Sequence, residues 1–154
     1  MLLCCKVLET LREQGKTLVT AESLTGGGIG EALTAVPGAS EVYKGGVISY
    51  VNQIKRDVLG VSQEILDRYG AVSCWTAGYM ASGVRKLLKA DVAVSVTGLA
   101  GPGGDEFGHP VGTVYIGFEC DRKSLVKQYR FAGDREAVRA QTIRAALELI
   151  LENC

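Results

Sequence analysis

Ser23 follows the run Leu18-Val-Thr-Ala-Glu22 and precedes Leu24, Thr25 and three consecutive glycines, Gly26, Gly27 and Gly28. A hydroxyl at the end of an apolar run and the mouth of a glycine turn can attack a carbonyl carbon, with unshielded main-chain amides to receive the oxyanion. The same residues serve a plainer role, because Ser23 or Thr25 would also cap the helix that follows. Both roles stand at this level. The Gly-x-Ser-x-Gly elbow is absent, since Ala21 stands two before Ser23, and no Gly-Lys-Ser or Gly-Lys-Thr follows the glycines.

A serine nucleophile needs a base. Lys55, just past Val47-Ile-Ser-Tyr50, serves if burial lowers its pKa from ~10.4 toward neutrality; otherwise it is a surface lysine. Tyr50 would donate a hydrogen bond to the serine or the oxyanion, or else be a half-buried strand aromatic. His109 is the single histidine, in a loop with Asp105 and Glu106 just before it. It would complete a Ser-His-Asp arrangement, although a loop histidine is more often a surface residue. Asp105 and Glu106 offer a divalent metal two carboxylates, or are simply solvated. Arg130 closes the last predicted strand, and Arg135 and Arg139 stand four apart on the first turns of a helical pattern. Two guanidinium groups on one face beside a positive dipole end seat a phosphate or carboxylate, the alternative being local pairing with Asp134 or Glu136.

The elements that must position these groups follow from periodicity. Leu2, Leu3, Val7, Leu8 and Leu11 predict a helix to Gln14, closed by Gly15. Thr17–Ala21 reads as a strand and Gly30–Ala35 as helix, stopped by Pro37 and Gly38. The run Gly45–Tyr50 reads as a second strand, and Asn52 is expected to cap a short helix carrying Lys55 and Val58. Ser62 starts another, through Leu66 to Gly70. Ser73 caps a longer helix from Trp75 to Leu88, with Ala77, Met80, Ala81, Val84, Leu87 and Leu88 as its buried stripe and Trp75 in the core. Asp91–Thr97 is almost wholly apolar, as in a strand covered on both faces, and runs into the glycine turn Gly98–Gly104. Gly112–Cys120 and Ser124–Phe131 predict an antiparallel hairpin. Asp134 then caps a helix that faces Val138, Thr142, Ala145, Ala146, Leu149 and Ile150 inward. The expected fold is α/β, a three-layer α/β/α sandwich around a mixed sheet of about five strands. Its ligand site belongs beyond the strands' carboxyl ends, where the turns after Thr20 and Thr97 both fall.

Composition bounds the rest. A chain of 154 residues is expected to form a single domain over residues 1–154, and its 47% apolar content suits a globular core. With 17 basic and 17 acidic residues, no global field draws it to nucleic acid or anionic lipid. Cys4, Cys5, Cys74, Cys120 and Cys154 show no Cys-x-x-Cys spacing, so neither a disulfide framework nor a zinc site is indicated. The opening residues lack the basic start of a leader peptide, and no apolar run approaches the ~20 residues of a membrane span. A cytoplasmic location is expected.

Six ordered blocks resemble the CinA carboxy-terminal domain family: Thr20–Gly27, Gly45–Tyr50 with Lys55 and Leu59-Gly-Val61, Ala71–Ser73, Thr97–Gly104, Pro110–Val114, and Phe131–Arg135 with Arg139. They cover nearly the whole chain. Members with known activity are nicotinamide-nucleotide amidases, which hydrolyse the carboxamide of nicotinamide mononucleotide to nicotinate mononucleotide and ammonia. The resemblance implies Ser23 as nucleophile, Lys55 as base and Tyr50 as supporting residue. Thr25, Gly26 and Gly27 of the serine turn, and Thr97, Gly98, Ala100 and Gly101, would line the substrate site, with Arg130, Arg135 or Arg139 for the phosphate. No metal or other cofactor is expected. The expected partners are a pyridine mononucleotide and further copies of the chain in a homo-oligomer, without direct nucleic-acid or membrane contact. The chain departs from the family in His109, where a lysine is frequent before Pro-Val-Gly, and in Cys74-Trp75-Thr76. In the family a pyrophosphatase-like domain often precedes this one, and a stand-alone form is the expectation here. Two other classes of function stand beside the enzyme: a non-catalytic nucleotide-binding or regulatory module, and an assembly partner for DNA-uptake proteins. Ser23→Ala would leave the affinity of such a module intact, and a stoichiometric protein partner in a pull-down would favour the second.

Overall fold

The computed structural model describes residues 2–154. Five strands, β1 (Leu18–Glu22), β2 (Tyr43–Ile48), β3 (Val92–Gly98), β4 (Thr113–Glu119) and β5 (Ser124–Arg130), form one sheet in the order β2-β1-β3-β4-β5. β1 runs parallel to both of its neighbours, and β4 and β5 form the antiparallel hairpin at the other edge. The helices are α1 (Leu2–Glu13), α2 (Gly28–Thr34), α3 (Asn52–Asp57), α4 (Gln63–Tyr69), α5 (Cys74–Leu88) and α6 (Arg135–Asn153). A 3-10 turn at Ala39–Glu41 precedes β2.

Alternation along β1 and β3 divides the apolar residues between two layers, making the sandwich expected from the sequence. Leu18, Val92, Val94 and Val96 pack with Leu8 and Leu11 of α1, Leu33 of α2 and Ile150 of α6. Val19, Ala21 and Ala93 face the other way, onto Leu66 of α4 and Met80 and Val84 of α5. Each fully buried aliphatic side chain contributes about 1.5–3 kcal/mol, and β3, buried through Thr97, is the strand covered on both faces. Ser62, Ser73 and Asp134 cap α4, α5 and α6, accepting from the N–H groups of Ile65, Thr76 and Ala137. Each such cap is worth about 1 kcal/mol.

Several local expectations are corrected. Gly27 stands at the cap position of α2 with no side-chain bond, so neither Ser23 nor Thr25 caps it. Asn52 is the first residue of α3 rather than its cap. β2 begins at Tyr43 and ends at Ile48, so Ser49 and Tyr50 lie past it; within it, the Thr20 and Tyr43 hydroxyls, bonded at 2.7 Å, fill the space a side chain on Gly46 would need. Trp75 is half exposed, stacked on Tyr69 at 5.4 Å between ring centroids, because position 75 falls outside the Ala77-Met80-Ala81-Val84 stripe. Leu87, on the edge of that stripe in the last turn, is half exposed as well.

The chain crosses from β1 to β2 through α2 on one face, and from β2 to β3 through α3, α4 and α5 on the other. β1 therefore marks the place where the winding reverses. A crevice opens there, outside the carboxyl ends of β1, β2 and β3.

Candidate active site

Ser23 is the first residue past β1. Its N–H donates to Val96 O at 3.1 Å, which extends the pairing with β3 by one residue. Lys55, on α3, is only 1% exposed. Its Nζ reaches Ser23 Oγ at 2.9 Å, Ser49 O at 2.6 Å and Tyr50 O at 3.4 Å. Burial lowers the lysine's pKa from 10.5 to about 8. The three acceptors divide unequally between the two protonation states. As an ammonium, Lys55 donates to all of them; as an amine it keeps two N–H bonds for the carbonyls and turns its lone pair on the Ser23 hydroxyl. Deprotonation thus converts a donor to Ser23 into a base for it.

The turn itself is held by two groups. Glu22 is buried, and its carboxylate accepts from Thr25 Oγ1 at 2.6 Å, Ile29 N at 2.8 Å and Gly30 N at 3.1 Å. Arg139, from α6, donates through Nε to Leu24 O at 3.0 Å and through Nη2 to Thr25 O at 3.2 Å. Gly26 and Gly27 adopt φ of 59° and 103°, left-handed values that let the chain turn back under Ser23 into α2. Gly26 N is bonded to Ser23 O. Hence Ile29 and Gly30, the second and third residues of α2, give their amides to Glu22, while the N–H of Leu24, a residue that lines the cleft, donates to no other group among the described residues.

The crevice is a cleft of about 460 Å³, within the range of small-molecule sites. Ser23, Leu24, Lys55 and Tyr50 form one wall; Thr97, Gly98, Ala100 and Gly101 form another, with Arg135 beside them. Asn52, Ala71, Val72 and the loop through Asp105, Glu106 and Phe107 complete it. Thr25, Gly26, Gly27, Arg130 and Arg139 do not line this cleft. Thr25 is buried against Glu22, Arg139 is occupied with the serine turn, and Arg130 is exposed at the end of the edge strand β5. Tyr50 lines the cleft, but its hydroxyl accepts from Arg135 Nη2 at 2.9 Å rather than meeting Ser23. Its bond toward the serine runs through its main-chain carbonyl to Lys55. Arg135 also donates to Gly101 O at 2.8 Å and so joins the two walls. His109 stands outside the lining; its Nδ1 lies 2.7 Å from Asp105 Oδ2, and its N–H donates to Asp105 Oδ1 at 3.0 Å.

Two participants escaped the reading of residue types. Glu22 gave one signal, a carboxylate ending an otherwise uncharged strand, but its partners are main-chain amides. Ser49 gave none, since its contribution is a carbonyl.

A family model described as the CinA C-terminal domain matches residues 3–154. A CinA-like protein of Thermosynechococcus vestitus is 47% identical over 147 residues, covering 94% of this chain and 35% of the relative. The chain thus spans about a third of the length of the curated relatives it matches. Among solved structures, the competence damage-inducible protein A of Klebsiella pneumoniae superposes with a TM-score of 0.95 at 39% identity, covering 97% of this chain and 93% of that one. A CinA superfamily protein of Escherichia coli gives a TM-score of 0.97 at 37% identity, covering 99% and 88%. No helix among the described residues is long and apolar enough to cross a membrane.

Proposed function

This chain belongs to the CinA C-terminal domain family, and from the site it carries we propose that it is a nicotinamide-nucleotide amidase working through a Ser-Lys pair. The observation that carries the reading is the 2.9 Å bond between Lys55 Nζ and Ser23 Oγ, made by a buried lysine whose pKa is lowered to about 8. Neutral Lys55 takes the Ser23 proton as Oγ attacks the carboxamide carbon of nicotinamide mononucleotide. The carbonyl electrons move onto oxygen, which the Leu24 N–H receives. Lys55 then returns the proton to the nitrogen, ammonia departs, and an ester to Ser23 remains. Water, deprotonated by the same amine, attacks that ester and releases nicotinate mononucleotide.

The cleft suits such a substrate in size and in its mixture of aromatic and charged groups. Tyr50 and Phe107 offer ring faces, and Arg135 offers a guanidinium to the phosphate. The test is ammonia release from nicotinamide mononucleotide, with and without chelator, by the wild type, Ser23→Ala and Lys55→Ala. Turnover that survives the chelator and collapses in both variants is expected. A folded wild type that binds the mononucleotide without turning it over would instead make the chain a nucleotide-binding module.

A further inference from the structure

Ser23 and Thr97 occupy matching places on neighbouring strands. The register pairs Glu22 with Val96, so the next residues, Ser23 and Thr97, stand side by side. Both follow the alternation of Ala21, Ala93 and Ser95 onto the face covered by α4 and α5. Strand spacing places their backbones about 4.8 Å apart. A carbonyl carbon bonded to Ser23 Oγ therefore carries its substituents within reach of the Thr97 side chain, on the side opposite β2.

The state of the Thr97 hydroxyl decides what it does there. Oγ1 donates to Ala71 O at 2.8 Å, in the segment between α4 and α5. A hydroxyl has one proton, and this one is committed. Thr97 is 1% exposed yet lines the cleft, and no N–H or O–H among the described residues donates to Oγ1. Toward the cleft it presents lone pairs alone. The Tyr50 hydroxyl differs, because it accepts from Arg135 and keeps its own proton to give.

We propose that Thr97 is a specificity-determining residue that accepts an N–H of the scissile carboxamide, selecting primary amides over esters and acids; this rests on the Ser-Lys amidase reading. Of the groups on a carboxamide carbon, only the nitrogen has protons to offer an acceptor. With one N–H on Thr97 Oγ1, the nitrogen sits between β3 and Lys55, which must protonate it, while the carbonyl oxygen turns toward Leu24 N–H. An ester oxygen in the same place would set lone pair against lone pair. So would the carboxylate of the product, which favours its release.

The experiment compares nicotinamide mononucleotide with the methyl ester of nicotinate mononucleotide for the wild type, Thr97→Val and Thr97→Ser. Thr97→Val keeps the branched shape and removes the acceptor; it should lower kcat/KM for the amide by roughly tenfold or more, with the ester within threefold of wild type. Thr97→Ser should restore the amide to within threefold. If the freed Ala71 carbonyl unfolds the valine variant, Thr97→Cys, a weak acceptor of similar size, should shift the amide-to-ester ratio the same way. Equal losses on both substrates, or no loss on the amide, would overturn the assignment. A folded wild type inert on both substrates would overturn the amidase reading instead, before any variant is compared.

Discussion

The turn after β1 and the loop after β3 leave the sheet at the same edge and border the same cleft, yet they are held in opposite ways. In the first, the carbonyls of Ser23, Leu24 and Thr25 all accept hydrogen bonds, and Glu22 and Arg139 brace the turn from opposite sides. In the second, most of residues 102–108 are exposed. That loop is tied by Arg135 to Gly101, by the Asp105–His109 contact and by Phe107 lying over Gly70. Ser23 thus sits on a backbone whose carbonyls are all hydrogen-bonded, and the wall across the cleft is more exposed and tied at fewer points. Such a division suits nucleophilic catalysis, where a displacement of about 1 Å can cost about 100-fold in rate.

Substitutions at the pair itself should separate the two regions most. Ser23→Ala and Lys55→Ala are each expected to lower kcat at least ~1,000-fold, because groups that act as one unit fail together. The proposed mechanism makes the neutral amine the base, so kcat/KM of the wild type should rise with pH through about 8 and level off above it. A profile flat from pH 6 to 10 would remove Lys55 from that role. The same lysine weakens the fold. Its folded pKa lies below the unfolded one, so its burial opposes folding below about pH 8 and ceases to as the pH climbs toward 10.5. Lys55→Met should therefore abolish turnover, and its Tm relative to wild type should fall as the pH rises from about 8 toward 10.5, because only the wild type is relieved of a buried charge there.

Glu22 tests the rigid half from beneath. Glu22→Ala strands the Ile29 and Gly30 amides and the Thr25 hydroxyl, and should cost about 2–3 kcal/mol of stability. Because the displaced turn carries Ser23, kcat should fall about tenfold or more with KM little changed. Thermal melts beside steady-state kinetics would show it, and a stable, fully active variant would mean the turn is not braced from this side.

The layers, the strand order of the hairpin, the caps at Ser62, Ser73 and Asp134 and the buried stripe of α6 were legible because each rests on local spacing or residue type. The placement of Ser23 and Lys55 was legible as a candidate pair, but their contact depends on β1–β2 pairing, which brings the Ser49 carbonyl under the lysine. Glycines misled in a consistent way. Gly26 and Gly27 looked like an anion seat, but they give the backbone its left-handed turn, and Glu22 fills the seat from within the chain. Arginines did likewise, since Arg135 and Arg139 share a helix and a spacing but not a task. One faces the cleft, and the other spends its guanidinium on main-chain carbonyls 115 and 114 residues away in sequence. Nothing in residue type distinguishes those two fates.

The loop half should respond least. Asp105 accepts from both the ring and the main chain of His109, closing residues 105–109 and presenting Glu106 and Phe107 to the cleft. Partial burial pushes the Asp105 carboxyl up, but the bonds from His109 prevail and hold it below its ordinary value. Its bonds thus favour the closed loop above the ordinary aspartate range and are lost as pH falls through the lowered value. A partly exposed contact of this kind contributes about 0.2–1 kcal/mol. His109→Ala should accordingly leave Tm within about 2 °C and kcat within about twofold, while KM rises about two- to fivefold and proteolysis between Gly101 and Pro110 quickens. A kcat loss as deep as that expected for Glu22→Ala would erase the contrast, because it would mean that the loop, too, sets the position of the reacting atoms.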